Sequence, residues 1–335
     1  MFVLALSLYN TWNRGVFLLC KITNLLIYSY RIMLLLYTYK CSSKCDICTF
    51  SCGPERSEKM DKNFAKELIR QAKDNKFFLV GFAGGEPLVF KDEIMELSKY
   101  SRELGMRTTI TSNCFWATSY EEALSVVQEM KESGVSHLKI SSDDFHSKYV
   151  PYDNIKNVLM ACKKMNLKTV IGCTSLKNSK RARGMLEHIE DYSVNVNIIE
   201  QTCYPLGRAA DMFDENEYIY NRDYGDYCRD QGILTVTPEG KVYPCGSMCG
   251  MVESREIKYS GKVDLRNILE LAGMNKHIQF IAEHGIKPYI KYISEHNMPI
   301  RIPEKYIDTC DMCYRLFSRK ENVPILDNVI RNISE

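Results

Sequence analysis

The sequence predicts an α/β fold: an open, partial (β/α)6 barrel over residues 33–210, followed by a small cysteine-bearing domain over 211–335. Six short β-rich runs alternate with amphipathic stretches up to Ile199, the pattern of parallel βα units. After Cys203 that alternation gives way to an acidic, tyrosine-rich connection at 211–227, where a domain boundary is expected. The chain also carries 14 cysteines in 335 residues. That density is too low for a disulfide-stapled secreted scaffold and suits metal or cluster ligation in a reducing cytosol, so a cytoplasmic protein is expected.

Strands are expected at 33–39, 77–82, 107–111, 137–140, 169–173 and 195–199. Helical stretches lie between them at 62–73, 92–104, 120–133, 154–165 and 181–189, with apolar residues every three or four positions. Six units are too few to close an eight-stranded barrel, and functional groups should sit on loops at the carboxyl ends of the strands. Further on, 233–237 and 241–243 flank Pro238-Glu239-Gly240, which supplies the fixed φ and the permissive glycine of a tight hairpin. Helices are expected near 265–270 and 276–284.

Residues 1–32 form an apolar extension. Lys21, Asn24 and Arg31 interrupt it, and charges near the centre of a spanning helix are costly, so membrane association is not expected. No small-residue cleavage site follows, and Met33 reads as the true start. The formal net charge of +2, from nearly balanced acids and bases, gives no reason to expect a nucleic-acid partner.

Cys41, Cys45 and Cys48 form a C-x3-C-x2-C run directly after the first strand. Three thiolates on a four-iron cube leave one iron open to chelate a ligand. The alternative is that Cys45 and Cys48 form half of a structural zinc site. Gly84-Gly85-Glu86-Pro87 follows the second strand, with glycines that permit close backbone approach and a carboxylate that can accept from an ammonium group.

With these two elements the chain resembles the radical SAM superfamily from residue 33 to about residue 210. That resemblance implies a [4Fe-4S] cluster on Cys41, Cys45 and Cys48, with S-adenosylmethionine (SAM) as cofactor and its amino group at Gly84, Gly85, Glu86 and Pro87. It further implies contacts to the SAM ribose and carboxylate from Ser112 and Asn113 after the third strand, and from Ser141, Ser142 and Asp143 after the fourth. Each of these, taken singly, is more often an ordinary strand-to-helix cap. Pro205-Leu206-Gly207-Arg208-Ala209 is similar to the Gly-Arg-Ala turn of related enzymes, with Arg208 available for a carboxylate or for a surface ion pair. The basic run Lys177, Lys180, Arg181 and Arg183 reads as a solvated helix start.

Downstream, Cys228 and Cys245 bracket the hairpin, and Cys310 and Cys313 form a C-x2-C pair. The four are similar to the shortened SPASM-like auxiliary domain called twitch. This implies a second, fully ligated [4Fe-4S] cluster, although structural zinc tolerates the same ligand set.

The closest resemblance is to radical SAM peptide epimerases acting on ribosomal peptides. It is carried by residues 41–52, Ser112-Asn113-Cys114-Phe115-Trp116, residues 140–146 and Val242-Tyr243-Pro244-Cys245. It implies a precursor peptide as partner, a one-electron reductant such as flavodoxin or ferredoxin, and a cysteine that returns hydrogen to the substrate radical. In the epimerases that donor directly follows an auxiliary-cluster cysteine, whereas here Gly246 follows Cys245. Cys249 is the candidate donor, with Cys114, Cys173 and Cys203 as further thiols near strand ends; Cys52 reads as structural. Two other outcomes stand beside epimerisation: a thioether or carbon-carbon crosslink, and a zinc-bound scaffold that recognises peptide without catalysis.

Overall fold

A computed structural model describes residues 30–221, 228 and 230–334. Most of the expected extension and part of the 211–227 connection lie outside these residues. The chain divides into two compact units, one of residues 31–219 with 236–240, the other including 220–235 and 241–335.

The first unit is a six-stranded parallel sheet in the order β1-β2-β3-β4-β5-β6. Its strands are β1 (Ile32–Thr38), β2 (Leu79–Gly84), β3 (Arg107–Ser112), β4 (Val135–Ser141), β5 (Lys168–Ser175) and β6 (Asn197–Thr202). All seven residues of β1 are buried, as expected of a parallel strand covered on both faces. Each leucine of Leu34-Leu35-Leu36 contributes on the order of 2 kcal/mol by leaving water.

The crossover helices are α1 (Lys62–Asp74), α2 (Lys91–Glu103), α3 (Tyr120–Glu132), α4 (Tyr152–Met165) and α5 (Arg181–Ile189). Asp61 caps α1 by accepting from the Phe64 amide, and Ser119 caps α3 by accepting from the Glu122 amide. A short α6 (Arg208–Met212) follows β6. Because each helix carries the chain back, every strand ends at the same edge of the sheet, and the loops carrying the sequence motifs are gathered there.

β3, β4 and β5 contain the expected runs and extend beyond them by one to three residues, while the other three strands are shifted. β1 starts at Ile32, paired with Leu79, so the expected 1–32 extension overlaps the first strand. β2 starts and ends two residues later than expected and runs into Gly84. β6 is displaced toward its C-terminus because Asn195, at φ 66°, turns the chain before the ladder begins.

The second unit contains β7 (Ile233–Val236) as far as Thr235, β8 (Val242–Tyr243) and five helices. These are α7 (Leu265–Met274), α8 (Lys276–His284), α9 (Lys287–Glu295), α10 (Thr309–Phe317) and α11 (Val323–Ser334). Phe280, Tyr289, Ile293, Met312, Phe317 and Leu326 form the centre of its core. Among the described residues no helix is long and apolar enough to cross a membrane.

Candidate functional site

The loop after β1 is closed by its own backbone. The Cys41 amide donates to the Gly53 carbonyl at 3.0 Å, and the Cys48 amide to the Cys45 carbonyl at 3.1 Å. Cys45 is buried, Cys41 and Cys48 half-buried. Backbone amides point at two of the sulfurs: Ser43 N–H at Cys41 Sγ (3.4 Å) and Cys52 N–H at Cys48 Sγ (3.2 Å). Burial, then the neighbouring Glu86, pushes the Cys41 thiol up to about 12, and burial also raises Cys45. Cys48 is instead lowered to about 6, because the Cys52 side chain hydrogen-bonds to it and outweighs burial. Cys52 therefore supports the Cys48 sulfur. Among the described residues no three His, Cys, Asp or Glu side chains are placed to hold a single metal ion. A four-iron cube is larger, and its thiolates stand further apart than they would around one ion.

Gly84 and Gly85 bring the end of β2 against this loop. The Gly85 amide donates to Thr38 O at 2.6 Å, and the Glu86 amide to Lys40 O at 2.9 Å. A Cβ at Gly84 would lie 2.2 Å from Thr38 O, and one at Gly85 would lie 2.2 Å from Lys40 O. The backbone these glycines must approach is thus the chain's own, a demand separate from the ligand approach expected from sequence. Glu86 is almost fully buried; its carboxylate accepts from the Leu88 amide (3.0 Å) and the Asn113 amide (2.7 Å) and caps the 3-10 turn Pro87–Phe90. Burial pushes its carboxyl up to about 7, against these two donors. A carboxylate has about four acceptor positions, so room remains for an ammonium donor.

The expected ligand contacts at the next strand ends are largely engaged within the protein. Ser112 Oγ accepts from Cys114 N–H and Trp116 Nε1–H, each at 3.0 Å. Asn113 Nδ2 donates to Ser42 Oγ (3.0 Å) and Ser43 Oγ (3.1 Å), and lies 3.8 Å from Cys41 Sγ. Ser141 ends β4, half-buried. Asp143, completely buried, accepts from the amides of Phe145, His146 and Thr174 and sits 2.8 Å from His146 Nδ1. Burial opposes ionisation of Asp143, but His146 outweighs it and holds the carboxyl below its ordinary range. The same pair keeps His146 raised against burial, with Cys48 and Glu86 acting in the same direction. His146 was not singled out from the sequence; its spacing of three residues from Asp143 was the available signal.

Arg208 does not face outward. Its guanidinium donates to Cys45 O at 2.7 Å and Cys52 O at 2.6 Å, and its amide donates to Cys48 O at 3.0 Å. Gly207 adopts φ 55°, and a Cβ there would lie 2.3 Å from Thr49 O. The turn after β6 is thereby seated on the cysteine loop. Cys173 and Cys203 are buried at the ends of β5 and β6, and burial followed by Asp143 pushes both thiols up to about 12. Cys114, buried after β3, is also raised by burial, with Glu86 adding to it.

In the second unit, five cysteines come within electrostatic reach of one another: Cys228, Cys245, Cys249, Cys310 and Cys313. Asp308 caps α10, so Cys310 and Cys313 share the first turn of one helix, spaced to lie on one face. Burial pushes Cys228 up to about 11 and raises Cys245, Cys249 and Cys310 well above the ordinary thiol range. Cys249, in the 3-10 turn Met248–Gly250, is 1% exposed and interacts with Cys313, Asp308 and Asp311. A Cβ at Gly250 would lie 2.6 Å from Cys245 Sγ, so this turn packs directly on that sulfur. Arg255 completes the group, its Nη1 2.8 Å from Cys313 Sγ.

Residues 35–182 match the family model described as the radical SAM superfamily. The first unit is a radical SAM domain. The chain is 24% identical over 294 residues to a putative peptide biosynthesis protein, YydG, of Bacillus subtilis (strain 168), covering 85% of this chain and 91% of that one. Among solved structures, native anSMEcpe with bound AdoMet is similar at 13% identity and a TM-score of 0.53, over 90% of this chain and all of that one. SuiB of Streptococcus suis bound to S-adenosylmethionine is similar at 16% identity and a TM-score of 0.40, over 76% of this chain and 65% of that one. The anSMEcpe likeness supports the fold.

A radical SAM domain works with a [4Fe-4S] cluster and S-adenosylmethionine, and the residues of this domain fit both. Cys41, Cys45 and Cys48 interact mutually, and two of their sulfurs receive amide donors that favour the thiolate. Glu86 is a buried carboxylate with acceptor capacity left, beside Asn113 and the cysteine loop. The protein is therefore a radical SAM enzyme, and the non-catalytic zinc scaffold gives way to that assignment.

Proposed function

We propose that this radical SAM enzyme modifies a ribosomally made peptide, and that the modification is inversion of an L residue to the D form at Cα. The observation that supports a peptide substrate most directly is the similarity to YydG, named for peptide biosynthesis, over 85% of the chain. Bound in the first unit, the cluster and SAM supply a 5'-deoxyadenosyl radical able to remove a hydrogen atom from the peptide.

The chain's own contribution begins with Glu86, which holds the amino group of SAM, while Arg208 and Asn113 keep the cysteine loop in place. Cys249 is the proposed donor of the returning hydrogen atom. Its burial keeps the thiol protonated, as a hydrogen-atom donor must be. One electron from a flavodoxin- or ferredoxin-class reductant, together with one proton, restores that thiol after donation. Cys228, Cys245, Cys310 and Cys313 hold a second [4Fe-4S] cluster, and Arg255 supports the fit: it is 6% exposed, and its Nε has no hydrogen-bond partner. A buried cation so placed is stabilised by thiolates and not by neutral thiols.

A second reading is favoured by Gly246. A Cβ there would lie 2.8 Å from Ile233 Cδ1, so no donor thiol fits directly after Cys245 without displacing that side chain. If Cys249 does not donate, the peptide radical is trapped by a thioether or carbon-carbon bond, with the surplus electron passing to the second cluster and a proton to solvent. The test is reaction of the anaerobically reconstituted enzyme, SAM and a reductant with the short peptide encoded beside its gene, in heavy water. Epimerisation adds one deuterium per site with no other mass change. Loss of two hydrogens would replace the epimerase reading by crosslinking.

A further inference from the structure

The guanidinium of Arg255 has an environment that its sequence position does not announce. It is sunk in the second unit, packed 5.5 Å over the Phe317 ring, and donates from Nη1 to Cys313 Sγ at 2.8 Å. Its Nε is buried and unpartnered, and among the described residues no carboxylate forms an ion pair with it. A buried cation that donates to a cysteine sulfur suits a thiolate there, and its removal would leave that charge uncompensated.

We propose that Arg255 is a positioning residue for the second cluster, donating to the Cys313 thiolate and raising the potential at which that cluster accepts an electron. This rests on the reading that Cys228, Cys245, Cys310 and Cys313 hold a [4Fe-4S] cluster. A four-iron cube with four thiolates is already an anion when oxidised, and the electron that enters adds a further negative charge. A fixed cation in a low-dielectric pocket stabilises the reduced form more than the oxidised one, so the potential becomes less negative. The electron comes from the one-electron reductant, which is oxidised; no bond is formed or broken. Arg suits the position because its delocalised charge survives burial and lies over the face of the Phe317 ring.

The test uses the full chain carrying Cys41→Ala, Cys45→Ala and Cys48→Ala, which leaves only the second cluster, reconstituted anaerobically with iron and sulfide. Iron analysis comes first, and about four irons per chain is the expected content. A parent that binds no cluster would overturn the two-cluster reading itself. An EPR-monitored redox titration then compares this parent with Arg255→Met and Arg255→Lys. The expected order of potentials is parent, then Lys, then Met, the last most negative. An unchanged potential in Arg255→Met with full iron content would overturn the assignment while leaving the cluster intact. Should Arg255→Met lose its cluster, the parent labelled with 15N-arginine decides. A resolved 15N hyperfine coupling to the reduced cluster supports the contact, and its absence refutes it.

Discussion

The Arg208 guanidinium donates to the carbonyl oxygen of Cys45 at 2.7 Å, joining residues 163 positions apart in the chain. With its second donor on Cys52 O and its amide on Cys48 O, one residue at the start of α6 braces the loop that carries Cys41, Cys45 and Cys48. The last loop of the barrel thus sets the geometry of the first.

Arg208→Ala should loosen that loop without removing a ligand. The expected cost is about 3–6 kcal/mol for two charge-assisted bonds. Iron release under a chelator should be faster than in the parent chain, with Arg208→Lys intermediate. Chelator-challenge kinetics followed at the cluster absorbance measure this, and equal release rates in all three would show that the clamp is unimportant.

Gly85→Ala should disturb the same loop from the other side. A Cβ 2.2 Å from Lys40 O forces backbone apart, at an expected cost of about 1–3 kcal/mol. Urea unfolding of the cluster-free chain would report it as a lower midpoint. An unshifted midpoint would mean that β2 and the loop can separate freely.

Glu86 gives a pH dependence whose sign is fixed by burial. Its folded carboxyl is raised to about 7 from the ordinary value of 4.5. Between those values the folded chain keeps a proton that the unfolded chain has released, so this contribution to stability falls as pH rises and levels off above the folded value. The cluster-free parent should therefore lose on the order of 2–4 kcal/mol from this group between about pH 5 and about pH 8. Glu86→Gln should show a flatter profile. Parallel slopes in the two proteins, read from denaturant titrations, would contradict the burial argument.

Cys249→Ala separates cleavage of SAM from return of hydrogen. We expect 5'-deoxyadenosine to form at the parent rate while D residue formation falls to background, both measured by mass spectrometry. Undiminished epimerisation would remove Cys249 as donor and move attention to Cys173 and Cys203 at the strand ends.

The barrel was legible because its signal is local. Runs such as Leu34-Leu35-Leu36 and the three-to-four-residue periodicity of α1 to α5 depend only on near neighbours. The cysteine spacing was legible for the same reason. Arg208 and Arg255 were not, since each acquires its role from carbonyls or sulfurs far away in sequence. The glycines of Gly84-Gly85 were read toward a ligand, whereas the atoms that crowd them, Thr38 O and Lys40 O, become neighbours only once β1 and β2 pair. In the second unit α9, α10 and α11 were missed, because their apolar positions are interrupted by tyrosine and charge and are completed only by packing around Tyr289 and Phe317.

The proposed chemistry depends on an open iron at the three-cysteine loop. EPR spectra of the anaerobically prepared, dithionite-reduced enzyme, recorded with and without SAM, test it most directly. The result expected is a paramagnetic spectrum with a component whose shape changes on adding SAM and which Cys45→Ala abolishes, leaving the signal of the second cluster; a spectrum indifferent to SAM, or one that Cys45→Ala leaves unaltered, would contradict it.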